Sequence, residues 1–233
     1  MVALFPEGFE EAEAGSAVEL AAYTDARGEE QLWAAFGWIE RRPLADDWET
    51  RWEQFHRPVS VGRLWIGPPW AEQDPTRLAV VIEPGRAFGT GSHPTTRLCL
   101  ELLQEAERGS ALDVGCGSGV LAIAAARLGF APVVAVDSDP VAVEATKQNA
   151  AANGVAVEVR EFDAGAAPLP AAKTCLINIT LPAVEAVAPR VRAKRLITSG
   201  YLQSEEPRVP GYGHLERRSD AGWAADVWSR RRQ

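Results

Sequence analysis

The chain has 233 residues, 46% of them hydrophobic and 24% charged, with a formal net charge of −8. This is the composition of a globular protein with one main domain and a small appendage, and it excludes a disordered or fibrous chain. It holds no run of about 18 apolar residues and no signal-peptide pattern over Met1 to Gly8, and its net charge disfavours direct nucleic-acid binding, so a cytoplasmic protein with no membrane segment is expected, suited to a basic protein partner.

In chain order, residues 1 to about 45 alternate short possible strands, Ala3-Leu4-Phe5 and Val18 to Tyr23, with an amphipathic segment, Glu29 to Phe36. They read as a small α/β module without a catalytic constellation. Trp48, Trp52 and Phe55 then recur at helical spacing and form one apolar stripe. This predicts a tryptophan-rich linker over 46–70, followed by the main domain over 71–233. His56 and Arg57 close the stripe where cations suit a helix C-terminus, so His56 is assigned no catalysis. Leu78 to Ile82 reads as a strand. It leads into Glu83 to Thr96, a loop of three glycines among hydroxyl side chains, and Thr95 or Thr96 is expected to cap the helix that runs to about Glu107. Such a loop is placed to fold as a lid over whatever follows the next strand; His93 within it reads as a capping or surface histidine.

Leu112 to Gly119, Leu-Asp-Val-Gly-Cys-Gly-Ser-Gly, joins a short apolar strand to the alanine-rich helix Val120 to Leu128. The turn between them needs glycine, because the backbone must take positive φ and approach a ligand closely, and the helix beyond it offers unpaired N–H groups. Gly115, Gly117 and Gly119 are followed by Val120, so the Gly-x-Gly-x-x-Gly spacing of a dinucleotide site fails. Acid-x-Gly-x-Gly-x-Gly instead resembles the loop of Rossmann-like S-adenosylmethionine-dependent methyltransferases, which implies that Asp113 faces the amino group of the methionine part. Pro132 to Val136 reads as a second strand ending in Asp137, where an acid meets ribose hydroxyls. Asp139-Pro140 opens a helix, and Asn153-Gly154 closes it in the left-handed conformation. Val155 to Val159 reads as a third strand, with Asp163 after it, where this class marks the adenine. Cys99, Cys116 and Cys175 are odd in number and widely spaced. They read as reduced core residues, with neither a disulfide nor a metal site.

Ala87-Phe88-Gly89-Thr90-Gly91, His93-Pro94-Thr95-Thr96-Arg97-Leu98 and Leu112 to Gly119 together resemble the bacterial PrmA family of ribosomal protein methyltransferases, which modify protein eleven of the large ribosomal subunit. The resemblance implies a class I α/β fold: a seven-stranded, mostly parallel sheet with helices on both faces. It also implies methyl transfer from S-adenosylmethionine to lysine ε-amines, the N-terminal α-amine, or both, with residues 1 to about 45 recognising the substrate. Carried over residue by residue, Phe88 and Thr95 would close the lid, and Gly115, Gly117 and Gly119 would admit the methionine end. Asp137 would hold ribose, Asp163 would mark adenine, and Asn178, at the end of a fourth strand beside the methyl group, would orient the target amine. Ile179-Thr180-Leu181 departs from the family's usual small apolar residues after that asparagine. Arg190 to Arg195 lacks the family's Pro-Gly-Gly turn. A different protein or a small amine therefore stands as an alternative acceptor, and a non-catalytic cofactor-binding module as a more distant reading. His214 to Arg217 with Trp223 to Trp228 is expected to form a final antiparallel pair.

Overall fold

The computed structural model describes residues 10–14, 17–21, 26–37, 39–40, 56–84, 89–163 and 168–231. The chain divides into two units, Met1–Glu53 and Gln54–Gln233. In the first, strands β1 (Glu10–Ala14) and β2 (Ala17–Ala21) pair antiparallel, Glu10 opposite Ala21, and helix α1 covers Ala26–Phe36. The β1 strand lies in a Glu-Ala alternation that propensity disfavours. Its partner defines it. The strand expected over Ala3-Leu4-Phe5 and the tryptophan stripe of Trp48, Trp52 and Phe55 fall outside the described residues.

The second unit holds two sheets. Strands β3 (Val59–Val61), β4 (Leu64–Gly67) and β5 (Leu78–Val81) form the smaller one, with β3 and β4 antiparallel and β4 and β5 parallel. Then follow helix α2 (Pro94–Glu105), strand β6 (Ala111–Val114), helix α3 (Val120–Arg127), strand β7 (Val133–Asp137), helix α4 (Pro140–Ala152) and strand β8 (Glu158–Glu161). After them come strand β9 (Ala172–Asn178), helix α5 (Leu181–Val187) with a 3₁₀ turn (Ala188–Arg190), and strands β10 (Ala193–Leu202), β11 (Tyr212–Asp220) and β12 (Trp223–Arg230). The large sheet has the order β11-β12-β10-β9-β6-β7-β8. Its five strands from β10 to β8 are parallel; β12 runs antiparallel between β10 and β11. This is the seven-stranded, mostly parallel arrangement expected, with the final antiparallel pair where it was predicted.

Alternation along the central strands supplies two cores, as it must when both faces of a parallel sheet are covered. Ala111, Val133 and Ala135 face α2, α3 and the small sheet, while Leu112, Val114 and Val136 face α5. Leu64 and Ile66 are fully buried in the first core. At about 1.5–3 kcal/mol for each such side chain, residues 59–67, which the sequence reading put inside the linker, are built into the second unit. Gln104 on α2 pins the small sheet by accepting from Arg63 N at 2.7 Å and donating to Val61 O at 3.0 Å.

The antiparallel end of the large sheet is tied by a buried carboxylate. Asp226, fully buried, accepts from Tyr201 Oη at 2.8 Å, Arg217 Nε at 2.9 Å and His214 Nε2 at 2.6 Å. Burial alone would push its carboxyl up, but the bonds from Arg217, His214 and Tyr201 outweigh that and hold it below the ordinary value. All three cysteines are buried and unpaired. No described helix is long and apolar enough to cross a membrane.

Candidate active site

Asp113, the three glycines, Asp137 and Asn178 lie at the C-terminal ends of β6, β7 and β9, where parallel α/β sheets bind ligands. Gly115, Gly117 and Gly119 take φ of 74°, 54° and 84°, and two of them are also sterically required. A Cβ on Gly115 would lie 2.4 Å from Ile179 Cγ2, and one on Gly119 would lie 2.8 Å from Thr146 Cγ2. The loop is sewn to its neighbours by backbone bonds, Gly115 N to Val136 O at 2.9 Å and Gly119 N to Cys116 O at 2.8 Å.

Asp137 ends β7 beside this loop. One carboxylate oxygen accepts from Gly117 N and the other from Asp139 N, both at 3.0 Å. The residue expected to hold ribose thus also fixes the middle of the glycine turn. Its remaining lone pairs are available to a sugar hydroxyl.

Asp113 is 1% exposed. Its Oδ2 accepts from Ala122 N at 3.1 Å, in the first turn of α3, and its Oδ1 has no partner among the described residues. Burial raises its carboxyl to about 7; the Ala122 bond works against this, and the charge of Asp137 adds to it. The folded chain therefore keeps a proton that the unfolded chain gives up between the ordinary value of 3.8 and about 7. With fewer protons on the unfolded state, stability falls as pH rises through that window and levels off above it. Asp113→Asn, uncharged throughout, should be relatively more stable at pH 8 than at pH 5 when compared with wild type. Urea midpoints at the two pH values test this, and parallel curves for the two proteins would refute it.

The lid meets the glycine turn. Ser118 Oγ donates to Gly89 O at 2.5 Å, and a Cβ on Gly91, whose φ is 94°, would lie 2.5 Å from Ile66 Cγ2. Phe88 lies outside the described residues. Thr95 is 1% exposed in the first turn of α2, but neither it nor Thr96 caps the helix. His93 does, with Nδ1 2.8 Å from Thr95 Oγ1 and 3.4 Å from Thr95 N. Pro94 at the first helical position sets the cap at His93, two or three residues upstream of the expected threonines. His93 packs edge-on against Trp223 at 4.8 Å, and burial first, then the charge of Arg97, lowers its pKa. Beside the lid, a small hollow is bounded by Thr90, Ser92, Pro84, His56 and Arg57.

Asn178 closes β9 and sits opposite Ser199 on β10. Its Nδ2 lies 3.4 Å from Thr96 Oγ1. The next residue, Ile179, is wedged between two glycines, with Cγ2 against Gly115 and its carbonyl against Gly200, where a Cβ would fall 1.9 Å from the oxygen. Asn178 is thereby brought to α2 and the glycine turn. Asp163 follows β8 on an exposed stretch, where Phe162 N bonds to Asp137 O at 2.8 Å.

One face of α4 was missed at the sequence level. Thr146 donates to Gly117 O at 2.9 Å, and Asn149 Nδ2 donates to Ser118 O at 2.8 Å while its Oδ1 accepts from Glu83 N at 3.0 Å. Asn153 exchanges bonds with Val81, accepting from its N at 2.9 Å and donating to its O at 2.6 Å. These residues join the glycine turn to β5 and the base of the lid. Their spacing, i, i+3 and i+7, marks one helix face, and a buried polar stripe was the available signal. Asn153 keeps a helical φ of −83°, and Gly154 alone, at 62°, takes the left-handed turn.

A family model described as ribosomal protein L11 methyltransferase (PrmA) matches residues 3–226. Curated relatives with that name include those of Symbiobacterium thermophilum, 40% identical over 76% of this chain, and Heliobacterium modesticaldum, 39% identical over 87%. The chain spans 60% of the first relative's length and 70% of the second's. Among solved structures, a ribosomal protein L11 methylase from Lactobacillus delbrueckii subsp. bulgaricus superimposes with a TM-score of 0.67 at 24% identity, over 76% of this chain and all of that one, and so shares its fold.

Proposed function

The chain belongs to the ribosomal protein L11 methyltransferase (PrmA) family, and from that membership we propose that it transfers methyl groups from S-adenosyl-L-methionine to lysine ε-amines, the N-terminal α-amine, or both, of large-subunit ribosomal protein eleven. Residues 1–45 serve as its recognition module and 46–70 as the connection to 71–233, the catalytic part, with β3 and β4 of that connection packed into the catalytic core. The observation that carries the reading is the meeting of Asn178 with the α2 N-terminus beside the glycine turn. An amide able to orient an amine then lies next to a loop able to admit the methyl donor.

The residues present fit that donor. Asp113 Oδ1, without a partner among the described residues, is a buried acceptor on the strand leading into the turn, matched to the donor's α-ammonium, which would hold the carboxylate ionised. Gly115, Gly117 and Gly119 keep the loop clear of side chains; Asp137 takes the ribose, Asp163 marks the adenine edge, and Thr95 and Phe88 belong to the closing lid. When bound, the sulfonium supplies an electrophilic methyl carbon and a neutral thioether leaving group. The target amine has to arrive without its proton, which solvent takes. Asn178 Oδ1 then accepts one N–H and leaves the nitrogen lone pair aimed along the line of attack, an orientation that accounts for a large part of such a rate. With the donor bound, the amine nitrogen held by Asn178 would take the methyl group as the thioether leaves, and the remaining proton would pass to solvent. An amide suits this task because, unlike a carboxylate, it does not favour the ammonium form.

Asn178→Ala should lower turnover about a hundredfold with donor affinity retained; equal loss of both would count against an acceptor role. Mass spectrometry of purified protein eleven after incubation with the chain and the donor tests the acceptor itself. Increments of one methylene per transfer, placed by fragment ions, are expected. A chain that binds the donor yet adds nothing to this protein would overturn the assignment and turn attention to the segment Thr180-Leu181.

A further inference from the structure

The net charge of −8 is the sum of two unlike units. Residues 1–53 carry 13 Asp and Glu against 4 Lys and Arg, and residues 54–233 carry 19 against 20. Within the second unit the cations are segregated as well. Around the site end of the large sheet the arginines are matched, Arg97 with Asp220, Arg217 with Asp226, and Arg218 with Glu105 and Glu216. At the opposite end, Arg192, Lys194 and Arg195 enter β10 while Arg230 and Arg231 leave β12.

The register brings these five together. Arg195 pairs with Ser229, and Lys194 and Arg230 are the next residues beyond that pair on the two antiparallel strands. Ala172 N bonds to Arg192 O, and Arg231 N to Gly211 O, which fixes both chain segments at the same edge. Arg192, Lys194, Arg230 and Arg231 are exposed and Arg195 is half-buried. Among the described residues none of the five enters an ion pair or a side-chain hydrogen bond. Lys194 and Arg195 act as charges on Glu107, which is already bonded to Lys173; that bond first, and then the charges of Lys173, Lys194 and Arg195, hold its carboxyl below the usual range. Like charges on adjacent strands destabilise a sheet, and the attraction of Glu107, shared with Lys173, offsets them only in part.

We propose that this basic edge binds the phosphate backbone of RNA. Lys and Arg are the main neutralisers of phosphate charge, whereas protein interfaces centre on large buried anchors, commonly aromatic, and among the described residues this edge has no exposed large apolar side chain. The six residue steps of β9 from Ala172 to Asn178 put the edge about 20 Å from the methyl-transfer site, so both can be occupied at once. RNA is chosen over DNA because of the proposed ribosomal acceptor; the phosphate contact does not depend on that reading.

The test is fluorescence anisotropy of the full chain, without methyl donor, against a fluorescein-labelled 20-base-pair RNA duplex and a DNA duplex of the same sequence, from 50 to 200 mM salt. Expected are binding at low salt that weakens steeply with salt, preference for RNA, and at least tenfold loss in the triple variant R192E/K194E/R230E, with a salt slope shallower by about 3. The neutralised pair K194Q/R230Q should lose an intermediate amount, and R127E, on an exposed position of α3, should bind as wild type. Methylation of free protein eleven should be unchanged in the triple variant. Absence of RNA binding at 50 mM salt, equal binding of DNA, or a triple variant indistinguishable from R127E would overturn the proposal. So would salt-sensitive self-association in sedimentation that the triple variant abolishes while RNA binding persists, since the edge would then meet the acidic unit of a second copy.

Discussion

Gly200→Ala should abolish methyl transfer and lower the stability of the second unit by more than about 3 kcal/mol. A Cβ there would fall 1.9 Å from Ile179 O, 2.6 Å from its carbonyl carbon and 3.0 Å from its nitrogen. All three are main-chain atoms, with no rotamer to turn aside. The position also has a φ of 101°, which an L side chain adopts at further cost. The chain can admit the methyl group only by moving Ile179, and Asn178 precedes it directly. Relief of the clash therefore shifts the amide that orients the acceptor, so activity should be lost even below the melting temperature of the variant. Denaturant midpoints and turnover at 15 °C measure the two effects. A variant with wild-type midpoint and rate would show that the β9–β10 contact is not the support described.

Asp137→Ala is expected to weaken donor binding by at least about tenfold to a hundredfold, at roughly 1.5–3 kcal/mol for each charged hydrogen bond lost. Two losses combine. The ribose loses its acceptor, and Gly117 N and Asp139 N lose the carboxylate that spans them at 3.0 Å. The first acts on the ligand, and the second loosens the turn and the start of α4, where Asp139 itself caps Val141 N at 2.8 Å. Calorimetry with the donor gives the affinity, and circular dichroism establishes that the sheet is retained. Unchanged affinity would remove Asp137 from the ribose site. A change in melting temperature without a change in affinity would leave it only the structural role.

The parts of this molecule legible in its sequence are those written in local patterns. Glycines at 115, 117 and 119 after an apolar run specify strand, turn and helix within a dozen residues, and an acid at 137 after Val133 to Val136 specifies the next strand end. Cysteines at 99, 116 and 175 sit in apolar runs that mark core positions, and all three are buried. The cap of α2 went to His93 because Pro94 restricts which residue can stand before the first turn, a rule weighed less than the caps favoured by Thr. What was not legible depends on pairing at long range. No local signal states that β3, β4 and β5 make a sheet of their own, or that Asn149 bridges Ser118 and Glu83, 31 and 66 residues away. Nothing near Asp226 in the sequence marks it as the buried acceptor of Tyr201, His214 and Arg217. Polar residues on helices read as solvated by default, and only their burial distinguishes a fastener from a surface group.

The small sheet decides how the protein can be cut. Val61, Leu64, Ile66, Val80 and Ile82 are part of the same core as α2 and α3, and Asn153 and Gln104 grip that sheet by its backbone. An expression fragment begun at residue 71, where the linker gives way to the glycine-bearing half by sequence pattern, would delete β3 and β4 and leave β5 as an exposed edge beside an open apolar face. Such a fragment invites aggregation. A separable catalytic piece has to start upstream of Val59, and any graft of a different recognition module onto this scaffold should be joined there.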